Sequence, residues 1–104
     1  MNGAETDTLT NSLFDRVYER FEGKCFYCGG HGSELEHVVP YSAGGKKEFS
    51  NLVLSCLRCN RVAWGWHFSS LEEKKRYILI YRFVGRNEGR KFRENVGAIR
   101  GSKI

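Results

Sequence analysis

Cys25-Phe26-Tyr27-Cys28 and, further along, Cys56-Leu57-Arg58-Cys59 decide how this chain folds. Each pair sets two thiols at the spacing of a knuckle turn, which can offer both sulfurs to one metal ion. Gly29, Gly30 and Asn60 follow the pairs and suit tight turns. Thiols stay reduced inside cells, so paired CxxC units point to metal rather than to disulfides. Four thiolates complete the tetrahedral shell of Zn²⁺ and leave no open position, so the expected zinc is structural. Twenty-seven residues separate Cys28 from Cys56, against roughly 15–20 in a compact ribbon. Something is inserted between the knuckles.

Within the insert, Leu35 to Val39 is β-prone and stops at Pro40. Ser42-Ala43-Gly44-Gly45-Lys46-Lys47 reads as a polar loop, and Leu52-Val53-Leu54 as a second short strand. The pattern predicts a hairpin-like unit, with a short helix from Asn60 onward. Upstream, Leu9, Leu13, Val17 and Phe21 recur every four residues and predict a packing helix over Thr8–Glu22, closed by Gly23. Downstream, Ser70-x-x-Glu73 fits a capping box and opens a helix carrying Leu71, Tyr77, Ile78, Tyr81 and Phe83, which ends near Gly85.

At 104 residues the chain is expected to be one domain. The expected fold class is α+β: an N-terminal helix (1–24), a zinc-ribbon core (25–68), then a C-terminal helix with a basic tail (69–104). The net charge is +5, and most of it lies after Gly85, where Arg86, Arg90, Lys91, Arg93, Arg100 and Lys103 face only Glu88 and Glu94. Such an arm suits a polyanionic partner or, equally, a solvated terminus. Apolar runs such as Tyr77 to Tyr81 are too short to span a bilayer, so no membrane association is expected. Met1-Asn2-Gly3-Ala4-Glu5 has neither a basic start nor an apolar run, which gives the expectation of a cytoplasmic protein.

Glu36-His37-Val38-Val39-Pro40, then Gly44-Gly45, Asn51-Leu52-Val53 and Cys59-Asn60-Arg61, follow one another between and beside the knuckles. In this order they resemble the HNH endonucleases, in the variant whose ββα-metal motif sits in a zinc ribbon. The resemblance spans Cys25 to about Arg61 and implies metal-dependent hydrolysis of DNA to a 5′-phosphate and a 3′-hydroxyl. It implies His37 as general base, Asn51 as the residue that orients His37, and Glu36 with Asn60 as ligands of a catalytic cation. Asn60 stands where the family name expects its second His, and Glu36 where Asp is common. Both donors are hard oxygens, so Mg²⁺ or Mn²⁺ is expected beside the structural Zn²⁺, with no small-molecule cofactor.

The chemistry agrees on general grounds. Phosphodiester hydrolysis needs an activated water, and an imidazole of pKa about 6.5 is mostly neutral at pH 7 and can accept its proton. Successive strand residues point to opposite faces, so Glu36 and His37 share a site only if the strand ends or bulges there. If the strand is regular, Glu36 is the weaker assignment.

Lys46, Lys47, Arg61, Arg86, Arg90, Lys91 and Arg93 are the expected contacts to duplex DNA. His31 and His67 read as surface or supporting residues, and Trp64 and Trp66 as core or interface aromatics. One base and one cation site predict a monomer or weak dimer that nicks one strand at a time. Two rival readings stay open: a silent zinc-ribbon DNA-binding module, and a zinc-stabilised interaction domain.

Overall fold

The structure is a computed structural model that describes residues 12–100. The first helix, α1 (Leu13–Arg20), starts where the Ser12 side chain accepts from the Asp15 backbone and Asp15 returns the bond to the Ser12 N–H. Positions 8–11 of the expected helix lie outside the described residues. The helix ends at Phe21, where the chain turns through Glu22 and Gly23, both at positive φ.

Strand β1 (Glu34–His37) pairs antiparallel with β2 (Leu52–Ser55), and His37 stands opposite Leu52 and Glu36 opposite Val53. Two short 3₁₀ turns, Tyr41–Ala43 and Phe49–Asn51, fold the connecting loop. Every residue of β2 is buried because both of its faces are covered. Val53 joins Cys25, Tyr27, Cys59, Tyr77 and Ile78 on one side. On the other, Leu52 and Leu54 pack with Val17 of α1. That double burial is why Leu52-Val53-Leu54 is apolar throughout rather than alternating.

Helix α2 (Leu57–Ala63) begins three residues earlier than expected. The second knuckle nucleates it, since the Cys56 Sγ caps the backbone N–H of Cys59. Order along the chain is therefore strand, strand, helix, and α2 packs back on β1. Helix α3 (Leu71–Phe83) starts at Ser70, whose hydroxyl accepts from the Glu73 backbone, which is half of the expected capping box; the Glu73 carboxylate accepts from the Ser69 hydroxyl instead.

Beyond Gly85 the structure departs from the expected tail. Residues Arg86–Asn95 form helix α4, which packs along α3. After it, β4 (Ile99–Arg100) pairs with β3 (Trp66–His67). Among the described residues no helix is long and apolar enough to cross a membrane.

Gly89 is what lets the two last helices approach. A Cβ there would lie 2.7 Å from both Cα and Cβ of Tyr81, closer than van der Waals contact permits. Gly89→Ala is therefore expected to lower the melting temperature, even though alanine favours a helix by about 1 kcal/mol. Forced separation of packed helices costs about 1–3 kcal/mol. Thermal unfolding checks this, and a raised melting temperature would contradict the packing.

Candidate metal centre and active site

The two knuckles converge. The Sγ atoms of Cys25, Cys28, Cys56 and Cys59 all lie within 4.8 Å of one another, with Cys28 and Cys56 at 3.8 Å. A tetrahedral ion with Zn–S bonds of about 2.3 Å needs sulfurs roughly 3.8 Å apart, so the donor set fits zinc. Backbone N–H groups already point at the sulfurs, from Cys28 to Cys25, Gly30 to Cys28 and Cys59 to Cys56. Hydrogen bonding with Cys59 lowers the Cys25 thiol to about 4 against the opposing effect of burial. The same contact, with burial, pushes Cys59 up.

His37 ends β1, half-buried, on the face opposite Glu36. Burial lowers its pKa from the ordinary value. Lys74 and Lys47 push in the same direction, and Glu36 opposes them. The ring is therefore held neutral at pH 7 and able to take a proton.

Glu36 points away from the strand face that carries His37. The strand is regular, so Glu36 turns into the core and is 6% exposed. One carboxylate oxygen accepts from the Tyr27 hydroxyl, and the other lies 2.6 Å from the Lys74 ammonium. Burial, with the Glu36 charge beside it, raises the Tyr27 pKa and keeps that hydroxyl a donor. Lys74 already supplies the counter-charge of the Glu36 carboxylate. Asn60 is half-buried on α2, and its side chain makes no hydrogen bond among the described residues.

Asn51 departs from its expected partner as well. Its carbonyl accepts from Val39 N–H, and its amide donates to the Val39 and Lys46 carbonyls. Asn51 thus pins the loop leaving β1, and among the described residues its side chain makes no hydrogen bond to the His37 ring. Gly45 fits the same clamp, since any side chain there would overlap the Val39 carbonyl.

The basic residues divide. Lys46, Lys47, Arg61, Arg86, Arg90 and Lys91 lie at the surface. Arg93 is not a free contact: it stacks 3.9 Å over Trp66 and donates to the Tyr77 hydroxyl. Trp66 is half-buried beneath it, whereas Trp64 is 70% exposed.

Two groups at the site escaped the sequence reading. Lys74 is 1% exposed and also donates to the carbonyls of His37 and Val38 at 2.9 and 3.1 Å. Its signal was its position, three residues after Leu71 and three before Tyr77, on the apolar face of α3. Arg82 follows Ile78 by four residues on that face and reaches the thiols.

Residues 25–62 match the family model described as HNH endonuclease, somewhat over a third of the chain. That family is one of nucleases that bind DNA, and the match begins at the first knuckle and ends inside α2. No curated protein and no solved structure matched in the same comparisons.

Lys74→Met would leave the Glu36 carboxylate buried with Tyr27 alone. The expected loss is about 3–5 kcal/mol, read from urea unfolding, as when one partner of a buried pair is removed. Adding Glu36→Gln removes the stranded charge and should recover at least half of it. A single variant as stable as the parent protein would show that the pair is not the buried contact described.

Proposed function

We propose that this protein is an endonuclease that hydrolyses phosphodiester bonds of duplex DNA, with His37 as general base. The observation that carries the reading is a half-buried histidine at a strand end inside the segment that matches the HNH model, where burial lowers its pKa. Lys74 and Asn51 hold the backbone at His37 and over the two residues that follow, so the imidazole is presented from a pinned turn. His37 would take the proton of an attacking water aligned with a backbone phosphate. Lys46 and Lys47 on the loop, and Arg61 on α2, would hold neighbouring phosphates.

A divalent Mg²⁺ or Mn²⁺ ion is part of the proposal, with Asn60 as the chain's oxygen donor, and it would supply the charge sink for the departing oxyanion. One observation favours the rival reading of a silent zinc-ribbon DNA-binding module: the acidic side chain adjoining His37 in β1, that of Glu36, is neutralised by Lys74. Plasmid cleavage in Mg²⁺ or Mn²⁺, with zinc retained, separates the two.

His37→Ala is expected to reduce cleavage at least 100-fold, about the lower end of what a general base contributes, while DNA binding persists. Near-normal turnover in that variant would end the mechanism. The pH dependence follows from the depressed His37 pKa. The reactive form is the neutral ring, so activity is full at pH 7 and falls as pH drops through a value under about 6.5. An acid limb centred above about 6.5 would contradict the burial argument. With one base per chain, supercoiled plasmid should pass through open circle before linear DNA forms.

For α4, Arg86→Gln, Arg90→Gln and Lys91→Gln together leave the helix packed on α3. They should flatten the logarithmic salt dependence of DNA binding by about 0.9 for each phosphate that is no longer neutralised. An unchanged slope would assign those three residues to solvent.

A further inference from the structure

Arg82 lies near the end of α3, outside the segment that matches the nuclease family. Its Nη1 stands 3.2 Å from the Cys59 Sγ and 3.6 Å from the Cys56 Sγ. Arg82 as a residue is half-buried, and its guanidinium carbon lies 4.6 Å from the centroid of the Phe83 ring. Four thiolates around Zn²⁺ carry a net charge of −2, and two of the four sulfurs, from Cys25 and Cys59, are in the buried core. The backbone N–H groups at the knuckles contribute dipoles but no charge. Among the described residues, Arg82 is the cationic side chain hydrogen-bonded to the cluster.

We infer that Arg82 is an outer clamp of the zinc centre. It offsets the excess negative charge of the tetrathiolate and ties the C-terminal helices to metal occupancy. A guanidinium suits the role better than an ammonium. It is weakly hydrated and planar, so one nitrogen can reach two sulfurs without stripping a tight water shell. Groups that hydrogen-bond to metal ligands typically contribute about 10–100-fold to metal affinity. The inference depends on the four-thiol cluster and not on DNA cleavage, so it can fail while the nuclease reading stands, and the reverse.

Zinc-loaded full-length protein should be titrated with a chromophoric chelator of known zinc affinity, comparing Arg82→Met, Arg82→Lys and the control Arg76→Met. Arg82→Met should hold zinc at least about 10-fold more weakly. Arg82→Lys keeps the charge but loses the fork, so it should weaken zinc by a smaller factor, and Arg76→Met should match the parent protein. In the cobalt-substituted protein, removing the N–H···S bonds raises the sulfur donor levels. The thiolate-to-cobalt charge-transfer band should then move to longer wavelength in both Arg82 variants. If Arg82→Met does not fold, Arg82→Lys with the cobalt band carries the test. Zinc affinity within twofold of the parent protein, with an unmoved band in Arg82→Lys, overturns the inference.

Discussion

Convergence of four thiols from two knuckles is the constraint on which the rest of this fold depends. Cys28 and Cys56 are 28 positions apart in sequence and 3.8 Å apart in space. Holding them there closes the loop that contains β1, the 3₁₀ turns and β2. Closing such a loop costs conformational entropy, and a metal that binds only the folded arrangement can supply the compensating free energy. Each knuckle also has a local consequence. The first delivers Tyr27 to the core beneath Glu36, and the second caps α2 through the Cys56 sulfur. The sulfurs of Cys25 and Cys59 are themselves core groups, packed with Val53, Tyr77 and Ile78.

The buried pair of Glu36 and Lys74 is the second constraint, and it shapes the proposed chemistry. Regular strand alternation sends Glu36 inward and leaves His37 on the other face. Two charges taken from water into a core are tolerated when their remaining hydrogen-bonding capacity is filled. Here Tyr27 fills Glu36, and the carbonyls of His37 and Val38 fill Lys74. The arrangement spans α3, β1 and the first knuckle, so it docks the C-terminal helices on the hairpin in one orientation. It also places a fixed positive charge behind His37, which adds to burial in keeping the imidazole neutral.

Much of this was legible in the sequence. The cysteine spacing announced the four-thiol cluster, Leu52-Val53-Leu54 announced a short apolar strand, and Ser70-x-x-Glu73 marked the start of α3. What was not legible depended on partners distant in the chain. Glu36 reads as an open carboxylate until Lys74 is found beside it, 38 residues on. Asn51 carries the right residue type for orienting a histidine, but its amide is satisfied by loop carbonyls that no spacing rule locates. Residues 86–95 look like a solvated arm because their apolar content is small. They fold as α4 because Gly89 permits close approach to Tyr81 and Phe92 joins the core packing. Arg93 then becomes part of that packing, stacked on Trp66.

The claim that a zinc-held pair of knuckles builds this site is tested most directly by native mass spectrometry of the purified chain, with thiol alkylation before and after chelation. The account predicts one zinc ion per folded chain, four thiols protected while it is bound, and four alkylated together once it is removed. Folded protein that carries no zinc and whose four thiols react freely would contradict it.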